Sequence, residues 1–295
     1  MGVASVQLAV NIVTLTAIYA LICCGYVLVY RVSRVLNLAH GELMMLGAYL
    51  LVTTASLFGQ HPATAVAMAA VLGLAVGALV YVFLMRRMTG EMVLAAVLCT
   101  IALGIMLRGA MVLIWTAQVQ HPIEALTWSN PSLSLPGGGK ISVMSAVLVI
   151  TTALVYAALF GFLRFSRWGI RMRAAGQNPL LAAQRGIQLH GIYALAWGLS
   201  TFTGGVAGML LALDSGLDST MAILGLKAFP AALVGGLDSL AGALIGSAIV
   251  ATVEVLMIQH VDPLLSEVAP FLVLLAVLAV RPWGLLGSKE ELDRV

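Results

Sequence analysis

The chain has 295 residues, of which 61% are hydrophobic and only 9% are charged. Soluble domains are about half apolar and about a quarter charged, so this composition excludes a soluble fold and predicts an integral membrane protein. The formal net charge of +3 is then expected to reflect orientation in the bilayer and not binding to nucleic acid.

Apolar runs predict an all-α polytopic protein with about nine membrane spans and short loops, so that residues 1–295 form a single transmembrane domain. The seventh run, Met221–Gly236, is short and contains Pro230 and two adjacent glycines. An eight-span chain in which this run is re-entrant is therefore the alternative. The predicted spans are Ser5–Tyr30, Glu42–Phe58, Pro62–Met85, Met92–Ala117, Ile141–Leu163, Gly191–Leu213, Met221–Gly236, Leu240–Ile258 and Leu264–Val280.

The positive charges are distributed unevenly over the predicted loops. If the N terminus lies outside, the inside loops contain nearly all Lys and Arg residues, among them Arg87 and Arg173, whereas Lys140 lies outside. Inside loops of membrane proteins are enriched in Lys and Arg, so the pattern predicts an outside N terminus and an inside C terminus. The first residues carry no Lys or Arg, and we expect Ser5–Tyr30 to be a retained span and not a cleaved signal.

A polar break, Arg31–Leu46, separates the first two predicted spans and contains Asn37, His40 and Glu42. Such residues are costly in lipid, so they usually face a pathway or a protein partner. In one interpretation Asn37 caps the second span and Glu42 lies in its first turn, where the helix dipole favours a carboxylate by about 0.5 kcal/mol. In the other, the broken backbone around Gly41 lines a translocation route and offers polar contacts to a passing zwitterion. The two interpretations are compatible.

A second break, Lys227–Ser239, follows the same plan and contains Pro230, Gly235 and Gly236. Paired interruptions in two halves of a transporter indicate a central pathway, so these residues are candidates for it. The alternative is that Pro230 only kinks a packed helix.

Arg108 and Glu254 are charged residues inside predicted spans, where a central charge costs about 3 kcal/mol. Counting about 1.5 Å per residue from the inside ends of their spans places both at a similar depth, roughly 20–24 Å. This predicts an intramembrane pair. The alternatives are that Arg108 reaches the outer interface and that Glu254 forms a hydrogen bond with a neighbouring helix.

Residues 164–190 form the longest predicted cytoplasmic connection. Asn178 is a favourable N-cap, Pro179 suits the first helical position, and Gly186 suits the left-handed position after a helix. The spacing predicts a short capped helix over Leu180–Arg185. This helix is either part of a basic amphipathic loop that fixes topology or a docking element for a cytoplasmic partner.

The glycine–lysine cluster Gly137–Ser142 does not fit a nucleotide-binding P-loop. Ser134 stands where the motif needs its first glycine, and Ile141 follows the lysine. The cluster overlaps Pro131–Lys140, a turn-rich loop predicted to lie outside, where docking of a binding protein is the functional possibility. We therefore expect a chain that does not hydrolyse ATP and that contains no metal or cofactor of its own.

Four stretches resemble, in the right order, the permeases of the branched-chain amino acid ABC transporter family, closest to its LivH-type subunits. The resemblance covers essentially the whole chain. The stretches are Arg34–Glu42 with Leu46–Tyr49, Arg173–Ile187, Leu233–Gly242 and Arg281–Gly287.

This resemblance implies a multi-pass subunit of the bacterial cytoplasmic (inner) membrane that moves branched-chain or related amino acids inward by alternating access. It implies a second permease subunit, either LivM-type or another copy of this chain, two ABC ATPase subunits that bind the ATP, and an extracytoplasmic substrate-binding protein. The short cytoplasmic helix of the family sits in a groove of the ATPase. Its counterparts here are Asn178, Pro179, Leu180, Ala182, Ala183, Arg185 and Gly186.

Similar permeases also serve urea, short amides and aromatic acids, so the resemblance leaves the substrate open. A second class, an ion-coupled secondary transporter, would need coupling carboxylates in the membrane, for which Glu42 and Glu254 are the candidates. A membrane-embedded enzyme would need a convergent catalytic set, and the sequence contains no recognisable one.

Overall fold

A computed structural model describes residues 3–58 and 61–288; the first two residues and the predicted C-terminal end, residues 289–295, lie outside this part. Its α-helices are α1 (Val3–Ser33), α2 (His40–Phe58), α3 (Pro62–Phe83), α4 (Val93–Trp115), α5 (Pro122–Ala125), α6 (Val143–Phe165), α7 (Arg167–Gln177), α8 (Pro179–Gln184), α9 (Leu189–Ser215), α10 (Met221–Gly235), α11 (Leu240–His260) and α12 (Ala269–Val280). Strands β1 (Ser132–Ser134) and β2 (Lys140–Ser142) pair antiparallel.

Among the described residues, seven helices are long and apolar enough to cross a membrane: α1, α2, α3, α4, α6, α9 and α11. The apolar helices α10 and α12 are shorter, with 15 and 12 residues. At 1.5 Å per residue they extend about 22 and 18 Å, less than a hydrocarbon core of about 30 Å. The predicted start of the last span at Leu264 is wrong, because a 3-10 turn precedes α12 and Pro270 lies in its first turn.

Helix α1 lies at the centre of the bundle, and its residues from Tyr19 to Val29 are almost fully buried. It packs against α6, α7, α9, α10 and α11. Hydrogen bonds between helices stabilise membrane bundles, where water does not compete for them. Hydroxyl groups of neighbouring helices donate to α1 carbonyls, from Thr152 to Ala17, from Tyr156 to Ala20 and from Ser200 to Gly25.

Helix α4 lies at the edge of the bundle. It packs mainly against α2, and apolar side chains such as Ile105 and Leu113 on its other faces are exposed. The position of α4 therefore depends on its contact with α2.

Residues 164–190 fold into two helices, α7 and α8, where the sequence predicted one. Helix α7 begins after Ser166, whose side chain accepts a hydrogen bond from the N–H of Gly169 at 2.9 Å. A Cβ atom at Gly176 would lie 2.1 Å from the carbonyl oxygen of Arg31, so α7 lies directly against the C-terminal end of α1. The sequence did not reveal α7 because its glycines lower helix propensity.

The predicted turn-rich loop Pro131–Lys140 forms the turn of the β1–β2 hairpin. Gly137 and Gly138 adopt positive φ angles of 97° and 87°, a conformation that glycine reaches without steric cost. The hairpin is attached to α1 by Gln7, whose side-chain amide donates to the carbonyl of Lys140 and accepts from its N–H.

Residues 281–288 run back across the end of α10. Carbonyl groups at a helix C terminus have no partner within the helix, and here the returning segment provides two. Leu285 donates to Val234 and Leu286 donates to Gly235, both at 2.9 Å. Two of the stretches that carry the family resemblance are therefore packed against each other.

Candidate functional site

The second long helix begins within the bundle and not level with the end of the first. Helix α2 starts at His40, whose Nε2 lies 3.1 Å from the carbonyl oxygen of Ile22. Ile22 lies about 16 Å from the C-terminal end of α1, at 1.5 Å per residue. Residues 34–39, which are not helical, therefore run back into the bundle. At an extended length of about 3.3 Å per residue this segment is long enough to do so.

Several polar groups of this re-entrant segment form hydrogen bonds, and one buried side-chain donor does not. Leu38 donates its N–H to the hydroxyl of Thr100 on α4 at 3.2 Å, and Asn37 Oδ1 accepts from the N–H of Ala39 at 3.2 Å. Asn37 is 2% exposed, and its Nδ2 has no hydrogen-bond partner among the described residues. Asn37 thus closes a turn before α2 but does not cap the helix, because the N–H it binds belongs to Ala39, which precedes the first helical residue.

His40 is a packing residue in this conformation. Its side chain is fully buried, and the ring of Tyr26 meets it edge-on with centroids 4.6 Å apart. Cβ atoms at Gly25 and Gly204 would lie 2.1 and 2.8 Å from the imidazole, so only glycines leave room for it. His40 therefore does not face an open route in this chain, contrary to its expected place on the pathway.

Helices α2 and α10 meet at a pair of glycines, Gly41 and Gly225. A Cβ atom at Gly41 would lie 2.5 Å from the carbonyl oxygen of Ala222, and one at Gly225 would lie 2.4 Å from the Cα of Gly41. Helix α2 therefore crosses α10 backbone against backbone. Since Gly41 lies in the first turn of α2 and its partners lie close to the start of α10 at Met221, the N termini of the two helices lie near each other.

Glu42 forms an ion pair with Arg108 of α4. Arg108 Nη2 donates to Glu42 Oε1 at 2.8 Å, and the two side chains are 46% and 15% exposed. The second carboxylate oxygen faces Gly104, where a Cβ atom would lie 3.2 Å from it. A charge pair thus lies beside the N terminus of α2.

The predicted pair of Arg108 with Glu254 is wrong. Glu254 is buried and accepts a hydrogen bond from the hydroxyl of Tyr19 at 2.6 Å, which is the alternative of a bond to a neighbouring helix. Counting residues along a helix gives the depth of a side chain but not the direction in which it points. Arg108 faces α2 and Glu254 faces α1, so similar depth did not bring them together.

The glycines of the second break serve close packing. A Cβ atom at Gly235 would lie 2.1 Å from the carbonyl oxygen of Gly242, and one at Gly236 would lie 2.4 Å from the N atom of Gly287. Pro230 is buried inside α10. These residues allow α10 to approach α11 and the returning segment 281–288.

Helix α8 has the caps that the sequence predicted. Asn178 Oδ1 accepts from the N–H of Leu181 at 3.0 Å, and Pro179 is the first helical residue. At the other end Gly186 has a φ of 80°. The N–H groups of Gly186 and Ile187 donate to the carbonyls of Ala183 and Ala182 at 2.9 and 3.0 Å, which is a Schellman motif.

The exposed face of α8 is apolar at its start. Leu180 and Leu181 are 69% and 55% exposed, whereas Ala182 is 5% exposed and faces the rest of the chain. Ala183 and Arg185 are also exposed. Two exposed leucines on a capped helix are typical of a surface that a partner covers.

Tyr49 of α2 has no counterpart among the candidate residues found from the sequence. Its ring stacks on Trp115 of α4 with centroids 5.2 Å apart, and the residue is fully buried. Its hydroxyl has no hydrogen-bond partner within residues 3–58 and 61–288. The available signal was its place at the end of Leu46–Tyr49, one of the stretches that carry the family resemblance.

A further polar cluster lies at the C-terminal end of α9, where its side chains form hydrogen bonds with one another. Asp214 accepts hydrogen bonds from Asn130, Ser142 and Ser145 at 2.6–2.9 Å, which joins the end of α9 to the start of α6. In the part of the chain that the structure describes, no three His, Cys, Asp or Glu residues are grouped as metal ligands.

Comparisons with known proteins agree in one family. The family described as branched-chain amino acid transport system, permease component, matches residues 8–278. The high-affinity branched-chain amino acid transport permease LivH of Salmonella typhimurium is 31% identical over 95% of this chain and 94% of the relative. The corresponding permease BraD of Pseudomonas aeruginosa is 29% identical over 96% of each.

One relative has a different substrate in its name. The nucleoside ABC transporter permease NupC of Lactococcus lactis is 30% identical over 60% of this chain and 58% of the relative. No solved structure matches the chain.

Proposed function

Because the chain belongs to the family of branched-chain amino acid transport permeases, we propose that it forms one half of the translocation route of an ABC importer for branched-chain or related amino acids. It is a transport subunit and not a catalytic one. The observation that carries the proposal is the start of α2 within the bundle, level with Ile22 of α1 and beside the ion pair of Glu42 and Arg108. Transporters commonly use such broken helices to bind a passing substrate.

The route follows the first break, and Asn37, Gly41 and Glu42 border it. A charge pair in the membrane is stable when it meets water, protein or a polar ligand, and the half-exposed Arg108 needs one of these on its open side. Helix α10, with Pro230, Gly235 and Gly236, forms a second wall. Its contact with α2 at Gly41 brings the two backbones together, and apolar side chains of both helices, Met45 and Ala222 among them, pack beside this contact.

Coupling to ATP hydrolysis runs through α8. Its exposed residues Leu180, Ala183 and Arg185 contact the ATPase, and Asn178, Pro179 and Gly186 define its ends. Helix α7 packs against the inside end of α1 at Gly176, so a displacement of α8 reaches the central helix through α7. Cysteines across Leu180–Arg185 should crosslink to the ATPase. Cysteines in the other inside loop, at Arg86–Glu91, are the matched control, and exclusive crosslinking there would contradict the assignment.

The working unit contains permease, ATPase and binding-protein subunits. A second permease, either another copy of this chain or a LivM-type protein, completes the route, two ATPase subunits bind the α8 segments, and an extracytoplasmic binding protein delivers the substrate. The chain is one transmembrane domain in the bacterial inner membrane, with residues 164–190 as its coupling segment. It has nine membrane segments, two of them short, with the N terminus outside and the C terminus inside. The distribution of Lys and Arg supports this orientation.

Branched-chain amino acids are the favoured substrates because the relatives that match nearly the whole chain are named for them. Urea, short amides and aromatic acids remain alternatives within the same transporter type. Ion-coupled transport is disfavoured because neither interior carboxylate is open to a coupling cation. Glu254 is 6% exposed and bonded to Tyr19, and a cation bound to Glu42 would leave the positive charge of Arg108 unbalanced.

Purification with a tag on this chain tests the proposal. The ATPase and the second permease should copurify. Proteoliposomes that contain the complex and its binding protein should take up radiolabelled leucine only when ATP is present on the side of the membrane that the ATPase faces. An ATPase variant that binds but does not hydrolyse ATP is the control. Uptake by the chain alone under a sodium or proton gradient would contradict the proposal.

A further inference from the structure

Helices α2 and α4 meet along a seam that contains two of the four buried side-chain atoms that have no hydrogen-bond partner among the described residues. We define the α2–α4 seam by Asn37, Glu42 and Tyr49 on one side and Thr100 and Arg108 on the other. Thr100 contacts the re-entrant segment, Arg108 pairs with Glu42, and Trp115 at the end of α4 stacks on Tyr49. The seam therefore extends along α4 from Thr100 to its outer end.

The ion pair in the seam is incomplete. Arg108 uses one of its five N–H donors for Glu42, within the part of the chain that the structure describes, and nearly half of its side chain is exposed. The chain's other interior carboxylate, Glu254, is 6% exposed and has a hydroxyl partner. The pair in the seam is thus open to a ligand, whereas Glu254 is closed off.

Two buried donors lie on either side of the pair. Asn37 is 2% exposed and Tyr49 is fully buried, and Asn37 Nδ2 and the Tyr49 hydroxyl are both without a hydrogen-bond partner among the described residues. Buried polar groups in native proteins are nearly always paired, because an unpaired one costs about 1–3 kcal/mol. Tyr49 lies seven positions after Glu42, so the two share a face of α2 about 10 Å apart.

We propose that the α2–α4 seam binds the zwitterionic head group of an α-amino acid during its passage. The ammonium group binds the Glu42 carboxylate, and the carboxylate group binds the free N–H donors of Arg108. Tyr49 donates to the head group at an outer position along the seam and Asn37 at an inner position, so the head group meets them in succession and not while the ion pair holds it. This inference rests on the proposed transport function and assigns its substrate contact to named residues.

The chemistry of the seam matches this ligand class better than the alternatives. A zwitterion can exchange with an existing ion pair without a net change of charge, which avoids leaving a bare charge in the membrane. Urea has no charge to match the pair, and an aromatic acid without an amino group has only one. The seam therefore discriminates by head group and leaves side-chain selection to other parts of the transporter.

Two tyrosine variants separate ligand binding from structure. Tyr49→Phe removes a hydroxyl that has no partner in the chain, so the assembled complex should be as stable as the wild type while leucine uptake falls about tenfold. Tyr156→Phe removes a hydroxyl that donates to the carbonyl of Ala20. This control should lower stability and leave uptake per assembled complex unchanged. Full uptake by a stable Tyr49→Phe complex would overturn the assignment of Tyr49.

Head-group competition tests the ion pair itself. Purified transporter in nanodiscs, without the binding protein, is titrated with radiolabelled leucine, and with isoamylamine and 4-methylpentanoate, which lack the carboxylate and the ammonium group respectively. The wild type should prefer leucine to both analogues by about tenfold or more. Arg108→Gln should lose the preference over isoamylamine, and Glu42→Gln should lose the preference over 4-methylpentanoate.

The outcomes separate this inference from the transport function. If the wild-type complex imports leucine with ATP and both variants keep the wild-type head-group preferences, the inference is wrong and the proposed transport function stands. The double variant Glu42→Arg with Arg108→Glu preserves an ion pair with reversed polarity. Restored wild-type uptake in this variant would also contradict a ligand role, because a purely structural pair depends only on the attraction between its two charges and not on which helix carries which charge. A wild type that imports no amino acid would instead contradict the proposed function.

Discussion

Asn178 and Asn37 stand just before helices α8 and α2, and the chain uses them differently. Asn178 accepts a hydrogen bond from the third residue of α8, and the other end of the helix is closed by Gly186. The side chain of Asn37 bonds only to Ala39, and its buried amide nitrogen has no partner among the described residues. The comparison teaches that α8 is defined by its own sequence, whereas the start of α2 is defined by the helices around it.

The largest expected effect comes from filling the contact between the two broken helices. Gly225→Val would place side-chain atoms on the backbone of Gly41, so we expect a destabilisation of about 3 kcal/mol and little assembled complex. Gly109→Ala is the control, because a Cβ atom there would meet nothing within 4 Å. The yield and the melting temperature of the complex measure the effect. A wild-type melting temperature for Gly225→Val would mean that α2 and α10 do not cross here.

Removal of the Glu42 charge should have the next largest effect. Glu42→Gln leaves Arg108 without its counter-ion in the membrane, which costs up to about 3 kcal/mol in stability, and it removes a proposed substrate contact. Glu254→Gln is the matched control, because a neutral amide can still accept the hydrogen bond from Tyr19. Leucine uptake normalised to assembled complex should fall in the first variant and stay near wild type in the second. Equal uptake in both variants would mean that the Arg31–Leu46 break has only a structural role.

A change at the end of α8 tests the other side of the comparison. Gly186→Val introduces a β-branched residue at a φ of 80°, which strains this turn by roughly 1–2 kcal/mol. Because the rest of the bundle does not depend on this turn, insertion should be normal while ATP hydrolysis no longer drives leucine uptake. The ratio of leucine transported to ATP hydrolysed measures this. An unchanged ratio would argue against α8 as the coupling element.

The smallest effect is expected at the cap of α8. Asn178→Ala removes one capping bond and should cost about 1 kcal/mol in local stability, seen as faster hydrogen exchange across Leu180–Arg185. Asn178→Ser preserves a capping oxygen and should exchange like the wild type. Equal exchange in all three proteins would show that the partner subunit, and not the cap, determines the helix.

The sequence was sufficient where the signal is local. Apolar length located the spans to within a few residues, apart from the start of α12, and the spacing of Asn178, Pro179 and Gly186 predicted α8 with both caps. The sequence failed where direction around a helix decides the contact. It placed Arg108 opposite Glu254 by depth, but the side chains face α2 and α1. It also placed His40 on a pathway, although α1 and α9 enclose it through glycines that the sequence does not distinguish from others.

Water access to the re-entrant segment tests the central claim most directly. With Cys23, Cys24 and Cys99 replaced, single cysteines are placed at Leu38 in the break and at Leu28, which is buried in α1. In the assembled transporter, the account predicts that Leu38→Cys reacts with a charged, water-borne thiol reagent in one nucleotide state and that leucine slows this reaction. Leu28→Cys should remain unreactive in both states. If Leu38→Cys is as unreactive as Leu28→Cys throughout the ATP cycle, the break does not border the translocation route.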